Sequence, residues 1–458
     1  MNKVYKVVWS DAANAWVAVS EISTAHGKSK SSKTIAVAVA AVGMMLSSAA
    51  VQAAGLTWGT GAVAADDEAI AMGNNSDAKT NYTIVLGSGA KNKSNGESAV
   101  VIGHGAEATS DANPNTAKNT MGQQVVVGEA SVANSQSVAL GAQVYATGQS
   151  SIAIGGDDLG NNDSKTSAGK YSGAQDWRNY AGQPITVEGV STKDASDPAI
   201  GFTSTTASGR GSVAIGHMSQ STGKASLAFG ADSHAEADGA IAAGMASQAK
   251  GSAAVAIGVG AEASEAHATA IGLKAKANGG NAFAAGSNAE AGKVGATAVG
   301  LNSNAAAQHA IAIGSGAKVN ATADTTAQNT TGVSDASIAI GQEANSEGLA
   351  AVALGAKTKA KEHAVAIGTE TKAEGLSAVA IGSNSSATTT NSVAMGTNSA
   401  ATGANATALG QATKAKGQSA VAIGDGAETT DKGWGTATGN VAKAGYGAAA
   451  YGHQAEAT

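Results

Sequence analysis

With no cysteine among 458 residues, metal or acid–base chemistry would fall to the eight histidines and the carboxylates. His267, His309 and His363 each stand five residues before a glycine, Gly272, Gly314 and Gly368, so they share one slot of a repeating unit. His267 and His309 lie three units apart, about 14 Å if the units stack as strands, too far to hold one ion within a chain. Copies from several chains could meet only if that slot faced a shared axis, and no metal site is assigned. His104, His217 and His453 each follow a glycine and read as turn residues. Asp66-Asp67-Glu68 and Asp157-Asp158 sit in Gly- and Asn-rich stretches with no base or nucleophile beside them, so no catalytic residue is assigned. Gly258-Val259-Gly260-Ala261-Glu262-Ala263 imitates a dinucleotide fingerprint. It lacks the helix that such a loop must open, so no cofactor is assigned.

The unit that carries these residues dominates the chain. Ser212-Val213-Ala214-Ile215-Gly216 returns as Ala254-Val255-Ala256-Ile257-Gly258 and as Ala310-Ile311-Ala312-Ile313-Gly314. The closing glycines fall at 216, 230, 244, 258, 272, 286, 300 and 314, a constant step of 14. A short fixed period is the mark of a solenoid. Val213 and Ile215 lie two apart and share a face, as β-branched residues on a pleated surface do. Ala214 points the other way, where a small side chain lets another backbone come close. The glycine that follows can take positive φ and turn the chain.

Each unit then alternates again. Ala261 and Ala263, Ala275 and Ala277, Ala289 and Ala291 flank Glu262, Lys276 and Glu290. This predicts a second short strand with one face in and one wet, and a ladder of opposite charges on the wet face. One coil is strand, glycine turn, strand, turn. A coil of 14 residues holds only two large apolar side chains, so a single roll is thin and marginal. The pattern predicts that several chains bury a face against one another about one long axis.

Composition agrees. The hydrophobic share is 43 % but aromatics are only 3 %, so the apolar content is chiefly Ala, Val and Ile, suited to a narrow stack. A net charge of −6 excludes a polybasic nucleic-acid footprint. At the N-terminus, Lys28, Lys30 and Lys33 precede an apolar run from Thr34 to Leu46, and Val51-Gln52-Ala53 offers small residues before a cut between Ala53 and Ala54. One interruption stands out. Residues 156–211 separate Gly155 from the next regular coil and hold Tyr171, Trp177, Arg178 and Tyr180, types that anchor interfaces. Either a ligand-contacting protrusion or a small brace on the roll fits that composition.

The Ser-Val-Ala-Ile-Gly copies resemble the head of trimeric autotransporter adhesins of the YadA-like type. Lys3-Val4-Tyr5-Lys6-Val7-Val8-Trp9 and Trp16-Val17-Ala18-Val19-Ser20-Glu21 resemble the extended signal of large type V secreted proteins. The resemblance implies an all-β, left-handed parallel β-roll solenoid of 14-residue coils, assembled as a homotrimer on the Gram-negative surface. It implies binding to host matrix proteins of the collagen, fibronectin and laminin class, to host cells, or to other bacteria. The expected organisation is a signal at 1–53, head repeats at 54–155, an inserted protrusion at 156–211 and further head repeats at 212–458. The family's stalk and anchor are not seen in this stretch, so membrane attachment would come from a part beyond it. A biofilm role through self-association, or a β-solenoid enzyme acting on polysaccharide, are the competing readings.

Overall fold

The computed structural model describes residues 5–10, 15–20, 55–65, 68–94, 98–110, 122–156, 204–320, 336–431 and 433–458. The chain divides into two units, Met1–Ala53 and Ala54–Thr458. In the first, strands Tyr5–Ser10 and Ala15–Ser20 pair antiparallel, from Tyr5 opposite Ser20 to Ser10 opposite Ala15. Both runs are rich in Val, Tyr and Trp, which favour strands. The apolar run from Thr34 and the Ala53–Ala54 bond lie outside the described residues.

The second unit is a roll of two parallel ladders, each of 24 strands among the described residues. The first ladder runs from Leu56–Trp58 to Ala449–Tyr451, with strands of three residues. The second runs from Val63–Ala64 to Glu456–Ala457, mostly with strands of two. Strands pair with the equivalent strands one coil away, in strict register: Val255 with Thr269, Ala256 with Ala270, Ile257 with Ile271. Glu262 stands opposite Lys276, and Lys276 opposite Glu290.

The interior is mostly alanine, with Val85, Val101, Val126, Val144 and Val319 taking its place in a few coils. Ala254, Ala256, Ala261 and Ala263 all have no exposed surface, and their equivalents Ala268, Ala270, Ala275 and Ala277 repeat the layer. At several turn ends serine or threonine stands in place of alanine, and Ser219 there donates its hydroxyl to Gly216 O at 2.8 Å. The Val and Ile pairs expected to supply the apolar volume of the coil are on the outside of the first ladder. Ile257 is 42 % exposed while Ala256 between its neighbours is sealed. The reason is volume: two walls joined by four-residue turns leave room chiefly for alanine-sized side chains, with valine at a few places. We expect Ala256→Leu to overpack this layer and cost about 1–3 kcal/mol, read as a lowered thermal midpoint by circular dichroism. The same exchange at the outward Val255 should cost far less.

Two tight turns close each coil. The Ala261 amide donates to Gly258 O at 3.2 Å, and the Ala268 amide to Glu265 O at 3.1 Å. Both are four-residue turns with positive φ at the third position, the type II requirement for Gly or Asn. Gly260, at φ +63, fills it in the first turn and His267, at φ 58, in the second. Gly258 itself is held at φ +127, and a Cβ there would sit 2.4 Å from Gly272 O. Asparagines at the third position also stack, as Asn384 Nδ2 donating to Asn398 Oδ1 at 2.8 Å.

Candidate functional site: an apolar wall on one face of the roll

The histidine slot is explained by this backbone. His267, His309 and His363 occupy left-handed corners, at φ 58, 53 and 55, and all three are exposed. Histidine is enriched there along with Asn and Asp. Among the described residues no group of His, Asp and Glu is arranged to hold a metal. Gly258–Ala263 forms a turn and then the strand Glu262–Ala263, with no helix. Tyr171, Trp177, Arg178, Tyr180 and Asp157-Asp158 lie outside the described residues, as do Asp66 and Asp67. The roll resumes before the expected boundary at 211, because Thr206–Ala207 pairs with Tyr145–Ala146 on one side and Gln220–Ser221 on the other.

The two outer faces differ in kind. On the second ladder the outward positions are mostly polar: Gln248, Glu262, Lys276, Glu290, Asn304 and Lys318 follow one another. The ion pairs there run on the diagonal. Glu262 meets Lys250 at 3.3 Å, although Lys276 stands straight across, and Lys359 meets Glu347 at 3.4 Å and Glu374 at 3.6 Å. Strand side chains lean along the strand, which carries a long lysine past its direct neighbour.

The Lys416–Glu428 contact follows the same diagonal. Its hydrogen bond holds the Glu428 carboxyl below its ordinary value and the Lys416 ammonium above its own. The glutamate contribution is present above the ordinary carboxylate range and is lost as pH falls through the lowered value. The lysine contribution is present below the ordinary ammonium range and is lost as pH rises through the raised one. With both side chains about a third exposed, the pair stabilises by roughly 0.5 kcal/mol at most. We expect the melting difference between wild type and Glu428→Gln to be flat between about pH 5 and pH 10 and to shrink outside that window.

On the first ladder the outward positions form an apolar wall. Val213 and Ile215, Val255 and Ile257, Ile311 and Ile313 line it in two columns. Ile271, Ile340, Met395 and Ile423 continue it, each 38–41 % exposed. A contiguous apolar surface of this extent marks an interaction site.

Two features were not legible in the chain. Asp232 and His234 are buried and joined at 3.0 Å, Oδ1 to Nε2. Asp232 occupies a turn corner at φ 55, a place that Asn and Gly fill elsewhere, so its spacing carries no sign of burial. Trp434 and Tyr446, in the corresponding turns of neighbouring coils, stack with ring centroids 6.4 Å apart.

Fold and wall together define the class: a repeating parallel β-roll with an apolar outer face built from its own repeat. The family description "YadA head domain repeat (2 copies)" matches within 59–90, 134–157, 199–247, 249–289, 291–317, 334–358, 360–399 and 401–427. The description "Extended Signal Peptide of Type V secretion system" matches 1–50. No individual curated protein matches the chain. The head matches span more than half of the residues, and the chain belongs to the trimeric autotransporter adhesins with YadA-type heads. Its signal and family are those of proteins exported to the Gram-negative cell surface by type V secretion.

Proposed function

We propose that this chain is the head of a homotrimeric surface adhesin, with three rolls turning their Val/Ile walls to a common axis and their charged second ladders outward. The wall carries this reading: the interior is already closed without it, and the part of the wall left exposed on a lone roll is costly in water. Three identical outer faces, each repeating coil by coil, make attachment multivalent, so weak single contacts add to a firm hold. The partners are host matrix proteins of the collagen, fibronectin and laminin class, or other bacterial cells. Tyr171, Trp177, Arg178 and Tyr180 are the ligand contacts we assign within the insertion. The signal is removed between Ala53 and Ala54.

Light scattering on residues 54–458 should return three chain masses; a monomer would end the reading. Deleting residues 157–203, with the roll left to rejoin at Gly156 and Ser204, should remove binding to the preferred matrix protein or to bacteria while keeping the mass. Binding that survives intact would show that the insertion is a brace and that the regular outer face does the work.

A further inference from the structure

Resting on the trimeric reading, we propose that two coils act as keys that fix the height of the three chains against one another. The coils of 212–314 repeat one backbone, and a partner displaced by one coil finds a Val, Ile or Leu on the wall at seven of the eight levels. A uniform wall would hold the correct and displaced assemblies almost equally, as register is weakly specified in any strand array without distinctive side chains.

The wall is not uniform at two places. One column reads Ile215, Phe229, Ala243, Ile257, and the pairing sets Phe229 directly beside Ala243. The other reads Thr269, Phe283, Thr297, with Ala285 in the same coil between Ile271 and Val299. The chain has three phenylalanines, and two of them stand here, each 38 % exposed on the wall. Each large ring therefore has a small residue beside it in its own or the next coil. In a level assembly, three rings of Phe229 occupy one level and three methyl groups of Ala243 the next, so together they fill the space of two Val/Ile levels. A partner displaced by one coil brings Ile257 or Phe229 to the level of Ala243 and removes that space. At the second key it brings Ile271 or Val299 to the level of Ala285. Packed cores tolerate swaps that keep volume and resist those that add it.

The chain has no cysteine, so added thiols report without interference. Two full-length copies with different tags are co-expressed, one carrying Val255→Cys and Ile257→Cys, the other Thr269→Cys and Ile271→Cys. On oxidation, links between like copies should form, and links between unlike copies should stay below one tenth of them. Levelling the keys with Phe229→Ile, Ala243→Ile, Phe283→Val and Ala285→Ile should raise unlike links at least fivefold. Absence of like links in the original chain would sink the trimeric wall itself. Like links without any rise on levelling would overturn the keys alone. Should the levelled chain fail to assemble, the volume-keeping exchange Phe229→Ala with Ala243→Phe is co-expressed with the unexchanged chain. The two should sort into separate trimers, with mixed trimers at no more than a tenth of random; free mixing overturns the keys.

Discussion

Gly258→Val should open the roll at one coil and leave distant coils closed. Gly258 is held at φ +127, and an added Cβ would lie 2.4 Å from the Gly272 carbonyl oxygen and 2.7 Å from its carbon. Backbone atoms of the next coil cannot step aside, because the Gly272 amide is itself bonded to Ile257 O at 2.8 Å. A β-branched residue in this region of φ adds its own strain, so the cost is at least about 3 kcal/mol. In a stack of units the damage is local, since each unit contacts only its neighbours. Hydrogen exchange reads this directly. The Gly272 and Lys274 amides should lose protection about 100-fold, whereas those of Val379–Ile423 keep theirs. Gly260→Ala in the same turn is the control. Its φ of +63 lies in the left-handed region, and the nearest atom to a new Cβ is the Lys274 side chain at 3.5 Å. It should cost only about 1–2 kcal/mol. Equal effects at the two glycines would show that the close approach of coils is not what requires Gly258.

The second large effect concerns assembly. Ile257→Asp with Ile313→Asp should convert the trimer to folded monomers. Both side chains sit on the outer wall, 42 % and 36 % exposed, on the face opposite the buried alanines. A lone roll should therefore keep its far-ultraviolet circular dichroism. Around a shared axis the substitutions gather three carboxylates at each of two levels, with no cation on the wall to meet them. Like charges brought together out of water disfavour the ionised form. The association constant should fall at least 100-fold at neutral pH, and the trimer should return as pH drops through the raised carboxyl values. Light scattering at pH 7 and pH 4 measures both. Glu262→Lys with Glu290→Lys on the second ladder is the matched control and should leave the mass unchanged. Persistence of trimers in the aspartate variant would mean that another face carries the assembly.

Much of the roll could be read from the chain. The step of 14, the Val-Ala-Ile-Gly copies and the small–charged–small alternation give two strands, two turns and the parallel stacking, because period 2 fixes which residues share a face. It does not say which face is inside. The deciding quantity is volume, and the clue was present: Ala254, Ala256, Ala261 and Ala263 recur 14 residues later as four alanines, whereas the Val and Ile places admit Thr, Leu and Phe. The positions that tolerate size are the ones with room. Left-handed corners were half legible. Gly and Asn announce them, but His267 and Lys274, at φ 58 and 53, do not. The diagonal ion pairs and the Asp232–His234 contact depend on side-chain direction and local cover, which spacing along a chain does not encode.

Each ladder bond inside a regular coil joins residues roughly one repeat apart, as between Gly272 and Ile257 or Lys274 and Val259. No strand between Thr206 and Ala305 waits for a partner made much later. A polypeptide threaded outward through a narrow passage can therefore wind itself up behind the exit, the finished edge offering the template for the next segment to arrive. Growth of this sort draws its own slack from the passage. It would make the order of emergence, and not a search among distant pairings, set the pace at which the structure appears.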